Sequence, residues 1–195
     1  MLPERDLRQA LAGVPLIELQ GTFHRFVELQ YLHATDLLTQ TGSFDHGGRF
    51  TPPEQFHTLY LACSATTALR EAESRFLASG IVEHLAPSRP YVHFGIAGTL
   101  QRVLDLTDSD VLVSLSTTEQ ELEASWELIQ ARGDEAPTQT LGRVAYLGGR
   151  IEAIYSHSTR DKPDGRCVAV FPNRLSSPSW LQIVDDTGQL TQQIP

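Results

Sequence analysis

Apolar positions along the chain alternate between two spacings, and the switches mark its elements. Residues 3–12 set Leu7, Ala10 and Leu11 on one side of a helix, with Pro3 suited to its first turn. The stretch 16–34 reads as a long strand, in which Gly21 marks a break or bulge. Residues 40–55 form a loop containing Gly42, Gly47, Gly48, Pro52 and Pro53, and 57–62 a short buried strand. A helix over 64–79 is capped by Ser64, buries Ala68, Leu69, Ala72 and Phe76, and ends at Gly80. Two strands at 91–96 and 100–106 are separated by Gly95 and Gly98. A helix at 118–131 opens with a Thr118/Glu121 capping box and turns Leu122, Trp126 and Ile129 inward. A shorter helix at 138–147 stops at Gly148-Gly149, and strands at 151–155, 166–171 and 180–184 follow.

Strands and helices do not alternate regularly, which argues against a doubly wound parallel sheet. The expected class is α+β, with mainly antiparallel sheets and about four helices. No internal repeat and no shift in composition marks a second domain, so residues 1–195 read as one domain.

Charge narrows the function classes. Fifteen basic against 24 acidic residues give a net charge of −9, which leaves no broad basic face for nucleic acid. With 41% hydrophobic and 20% charged residues, the chain has material for a core and is not a disordered segment. No run approaches the roughly 18 apolar residues of a membrane helix. The start MLPERDLRQA carries charges where a signal peptide needs an apolar core, so a cytoplasmic location is expected. Cys63 and Cys167 lie in the apolar runs YLAC and RCVAVF and are expected as two buried free thiols. No Cys/His spacing suits a metal, so none is expected.

Four polar features stand out against this background, each with a plain structural alternative. Arg25 interrupts the apolar run TFHRFVEL; a buried arginine needs a partner, but an edge residue or structural ion pair fits as well. Gly47-Gly48-Arg49-Phe50 lets backbone approach a ligand beside a planar cation, and is equally an ordinary hairpin. Glu71 flanks the apolar stripe of the 64–79 helix, where it can pair with Arg75 instead. Ser158, in YSHSTR before the turn DKPDG, suits a backbone cap. No GxSxG elbow is present, so serine hydrolase chemistry is not supported.

The order of these features resembles the RES-domain family, named for recurring Arg, Glu and Ser residues. The pieces are TFHRF, GSFDHGGRFTPPEQFHTLYLACSATTALREAE, PTQTLG, IEAIYSHSTR and VAVFPNRL, running from about 21 to 175. The resemblance implies an ADP-ribosyltransferase-like fold, NAD+ as a consumed substrate rather than a cofactor, and a toxin held inactive by an Xre-type helix-turn-helix antitoxin. Carried over residue by residue, it implies a site of Arg25, Arg49, Tyr60, Glu71 and Ser158. The family's loop is usually closer to GGRWN-P-G; here Phe50 keeps an aromatic, while Thr51 and Glu54 stand where Asn and Gly are usual, and Phe26 stands where a tyrosine is common.

The residue types suit that chemistry. Two arginines can clamp the pyrophosphate. A carboxylate such as Glu71 can stabilise the oxocarbenium character that develops as the nicotinamide–ribose bond breaks, and Glu73 is next in line for that role. Tyr60 offers a ring for stacking, and Ser158 a hydroxyl for nicotinamide or for Glu71. The acceptor, whether water, phosphate or a protein side chain, stays open, as does a homodimer or a hetero-oligomer with the antitoxin. Two further readings remain: ADP-ribosyl transfer to a protein target, and a catalytically silent nucleotide- or partner-binding module.

Overall fold

A computed structural model describes residues 1–31, 37–39, 42–78, 90–184 and 192–195, apart from the side chains of 30 and 74–78. The architecture is mixed α/β. Its strands are β1 (Ile17–Glu28), β2 (Leu59–Ala62), β3 (Tyr91–Asp105), β4 (Ala153–His157), β5 (Arg166–Val170), β6 (Trp180–Val184) and β7 (Gln193–Ile194). The seven α-helices of the described residues are α1 (Glu4–Gly13), α2 (Ser43–His46), α3 (Ala65–Ala78), α4 (Ser109–Ser114), α5 (Glu119–Leu122), α6 (Trp126–Gln130) and α7 (Pro137–Gly148). None of these helices is long and apolar enough to cross a membrane.

The strand order is β1-β2-β5-β4-β3-β6-β7, and β1 also pairs with β3, so the first five strands close into a ring. Every pairing is antiparallel except β3 with β4. Strand alternation sorts the core into two clusters. Phe23, Leu59, Ile96, Val168 and Leu181 belong to one, built almost wholly from strands. Phe50, Ile154, Ala169, Leu141 and Phe171 belong to the other, where α1, α4, α5 and α7 cover the outer face.

Several expectations change. The two strands expected within 91–106 are one, β3, because β1 pairs along its length from Glu28↔Tyr91 to Ile17↔Val103. Gly98 is needed for close approach rather than a turn: a Cβ there would lie 2.5 Å from Leu181 Cδ2 and from the Trp180 carbonyl oxygen. Nor does Gly21 break β1, which runs on to Glu28 and gives way to a 3-10 turn at Leu29–Tyr31; residues 32–34 of the expected strand lie outside the described residues. The expected helix at 118–131 is two short ones, because Ser125 adopts extended backbone and its hydroxyl caps α6 at Leu128 N. Thr118 caps α5, but Glu121 turns away from the reciprocal bond to reach the Met1 amino group and Thr117. The Asp108-capped α4 and the one-turn α2 raise the helix count above four.

Helix α3 is capped by Ser64 as expected, its hydroxyl accepting from Thr67 N at 3.0 Å. Its buried residues are Thr67, Ala68 and Ala72, while Leu69 is exposed; Phe76 and Gly80 fall outside the described side chains. The small buried residues let the helix sit close to the sheet. The thiols are less enclosed than expected: Cys63 is exposed and Cys167 half-buried, both free.

Candidate functional site

The turn Gly47–Thr51 is where the site begins. Gly48 and Thr51 exchange two backbone hydrogen bonds, at 2.8 and 3.1 Å, and Gly47 takes φ +73°, a conformation that favours glycine. Tyr60, on β2, lies beneath this turn: a Cβ on Gly48 would come 2.5 Å from its hydroxyl oxygen. That hydroxyl accepts from Phe50 N at 2.9 Å and bonds Thr51 Oγ1 at 2.9 Å. Tyr60 therefore shapes the loop.

Helix α7 holds the loop from the other side. Gln139 Nε2 donates to the carbonyls of Gly48 and Thr51 and to Gln130 Oε1. A Cβ on Gly142 would meet the Phe50 carbonyl oxygen at 1.9 Å, so only glycine admits the loop there. Neither residue was singled out in the sequence, although both lie in the piece PTQTLG, which carried their signal.

So fixed, the loop projects Arg49 inward. Its Nε and Nη2 donate to the Leu122 carbonyl at 3.1 and 2.8 Å, and Nη1 donates to the His157 carbonyl at 2.8 Å and more weakly to Ser156 Oγ at 3.5 Å. These bonds tie the loop to α5 and to the end of β4. Burial pulls the guanidinium's pKa down, and Cys167, Glu71, Tyr60 and Glu123 push it back up. The cation thus sits in a desolvated setting beside Glu71.

Glu71, on α3, receives the Ser158 hydroxyl on Oε1 at 2.5 Å and the Cys167 thiol on the same oxygen at 3.6 Å. Ser158 is 1% exposed, and its Oγ also accepts from the amides of Arg160 and Asp161. The turn cap and the partner of Glu71 are therefore the same atom. Burial and the neighbouring Glu71 carboxylate push the Cys167 thiol strongly up, keeping it protonated as a donor. The alternative partner of Glu71, Arg75, has its side chain outside the described residues.

Arg49, Tyr60, Glu71 and Ser158 are brought together in this way. Arg25 is placed differently. Ala62 stands opposite both His24 and Cys167, and Cys167 opposite Ser156, so these residues share one face. Arg25, one position beyond His24, takes the face of Phe23 and Val27, and its Nη1 donates to the Leu37 carbonyl at 2.8 Å.

Comparison with known proteins bears on the chain as a whole. The model of a family described as RES domain matches residues 22–190. The crystal structure of the M. tuberculosis MbcT-MbcA toxin-antitoxin complex contains a chain of similar fold, with a TM-score of 0.67 and 21% identity, covering 97% of this chain and 91% of that one. No curated protein matches.

Proposed function

The chain belongs to the RES-domain family, and from that premise we propose that it is a toxin that consumes NAD+, made in the cytoplasm with an antitoxin that restrains it. The carrying observation is the Ser158 hydroxyl held 2.5 Å from Glu71 Oε1, with Arg49 donating to the carbonyl of His157, the residue before Ser158. In this reading residues 1–195 are one ADP-ribosyltransferase-like domain.

Breaking the nicotinamide–ribose bond sends the bonding electron pair to the nicotinamide nitrogen and leaves positive charge on the ribose. Glu71 supplies the opposing charge and accepts from the ribose hydroxyls. Ser158 fixes the carboxylate's direction, so no reorientation is needed as charge develops. Water or inorganic phosphate then takes the anomeric carbon. Arg49 gives most of its donors to backbone carbonyls; its contribution is therefore a fixed positive charge and a rigid loop, with its remaining N–H capacity for a phosphate oxygen. Arg25 is assigned to the phosphates from the sequence and stands apart from the cluster that carries the reading.

The antitoxin proposal draws support from the similar chain in the MbcT-MbcA complex. A helix-turn-helix partner would supply the DNA binding that a chain of net charge −9 lacks, and an acidic tail would suit Arg49.

The test is nicotinamide release from NAD+, followed by chromatography with and without phosphate. Release that is lost in Glu71→Gln supports the reading; no release in either condition sinks it and favours a silent binding module. Radiolabel transferred from NAD+ to protein would instead select ADP-ribosyl transfer.

A further inference from the structure

The turn that carries Ser158 is fastened to α3 by more than Ser158. Thr67, Arg70 and Glu71 stand at i, i+3 and i+4 on α3, so all three lie on one side of the helix. All three reach the same turn. Glu71 meets Ser158, while Thr67 Oγ1 donates to Asp161 Oδ2 at 2.6 Å and Arg70 Nη1 pairs with Asp161 Oδ1. Asp161 is also built into the turn itself. Its amide donates to Ser158 Oγ at 3.0 Å, and its carbonyl accepts from Gly165 N at 2.7 Å. A Cβ on Gly165 would lie 2.4 Å from that carbonyl oxygen, so the turn closes only around glycine.

The same turn is held from its other side as well. Lys162 pairs with Glu123, and Arg160 with Glu127 at 3.6 Å. The Arg160 contact is the looser of the two. The Arg160 and Glu127 side chains are 42% and 39% exposed, and water competes for exposed pairs. Asp161 is 15% exposed, and its carboxylate has a neutral hydroxyl partner as well as a cation. Of the turn's three ion-pairing side chains, Asp161 at 15% is the least exposed, against 42% for Arg160 and 54% for Lys162.

We infer that Asp161 is a positioning residue: its carboxylate, gripping Thr67 and Arg70, sets the Ser158–Gly165 turn on α3 and thereby holds the Ser158 hydroxyl against Glu71. Asp161 touches no substrate in this role. It acts through Ser158, and the inference rests on the proposed use of Glu71.

Two readouts separate this role from a purely structural one. With Cys63 replaced by serine, Cys167 is the sole thiol, and it lies against Glu71 Oε1. In that background Asp161→Ala should lower kcat by up to about 10²-fold, since a misplacement of around 1 Å can cost that much, with KM little changed. Alkylation of Cys167 should speed up as the turn lifts. Asp161→Asn, which still accepts from Thr67, should recover much of both. Thr67→Val should repeat the loss in weaker form and add nothing to Asp161→Ala. These two milder variants carry the test should Asp161→Ala fail to fold. A lowered melting temperature with kcat and the alkylation rate unchanged overturns the inference. If the unsubstituted protein releases no nicotinamide, the functional reading has failed, and the alkylation rates still decide whether Asp161 holds the turn.

Discussion

Two glutamates of this chain sit among arginine and serine side chains, and the fold uses them differently. Glu152 is 0% exposed. Its Oε1 accepts from the amides of Gln101 and Arg102 and from Ser179 Oγ, and its Oε2 accepts from Arg102 Nε and Nη2. It joins β3, β4 and the approach to β6 where those strands meet. Glu71 is half-buried, and its partners include a hydroxyl and a thiol. The same residue types make a strut in one place and a candidate reaction centre in the other. What separates them is access to solvent, which residue identity does not report.

The sharpest way to break this comparison is to neutralise each carboxylate. Glu71→Gln should reduce nicotinamide release by about 10²–10³, the usual range for a preorganised stabilising group, and leave the melting temperature nearly unchanged. Glu152→Gln should do the reverse. Breaking a buried pair costs about 3–5 kcal/mol, and the low end applies because Arg102 is 36% exposed and regains water. That loss of about 3 kcal/mol corresponds to roughly 6–12 °C in melting temperature for a chain of this size. Should Glu152→Gln abolish turnover while still folded, or Glu71→Gln mainly destabilise, the two roles would have to be exchanged.

The same contrast explains what the sequence disclosed. Helices α1, α3 and α7 and strands β2, β4, β5 and β6 were legible because apolar spacing, a Ser64 cap and a Gly148-Gly149 stop all act locally. The unbroken β3 was not, because Gly98 is explained by β6 crossing it, a contact distant in sequence. Periodicity alone could not see that Ser125 restarts a helix inside 118–131. The pairing of Glu71 with Ser158 spans 87 positions. It came within reach only through the order of motifs shared with a family, and the supports at Gln139, Gly142 and Asp161 went unnoticed beside it. Glu152 went unremarked too, because a saturated buried carboxylate and a reactive one are written with the same letter.

Tyr60 lies between the two classes and sharpens the distinction. Tyr60→Phe keeps the ring but removes the hydroxyl that serves Phe50 N and Thr51. Leaving a buried amide without an acceptor costs about 1–3 kcal/mol, and the loosened turn carries Arg49. A fall in both stability and kcat is therefore expected, each smaller than in the corresponding glutamate variant. Loss of activity with full stability would mean that the hydroxyl meets substrate directly.

The smallest effect expected is a pH dependence set by a pair of stacked histidines. His24 Nδ1 lies 3.0 Å from His93 Nε2, the rings stack at 5.2 Å, and Phe26 stacks on His93. Burial, and then repulsion from His93, hold the His24 pKa below its ordinary value of 6.5. The folded state therefore binds fewer protons than the unfolded one as pH falls through that value. Stability is full above it and declines on acidification, levelling off below the folded pKa. His24→Phe keeps a ring against His93 and removes the titration of that residue, so its stability should vary less as pH falls below 6.5. Denaturant unfolding of the wild-type and His24→Phe proteins at each pH reads the two slopes. A slope unaffected by His24→Phe would place the titrating group elsewhere and remove the histidine pair from this account.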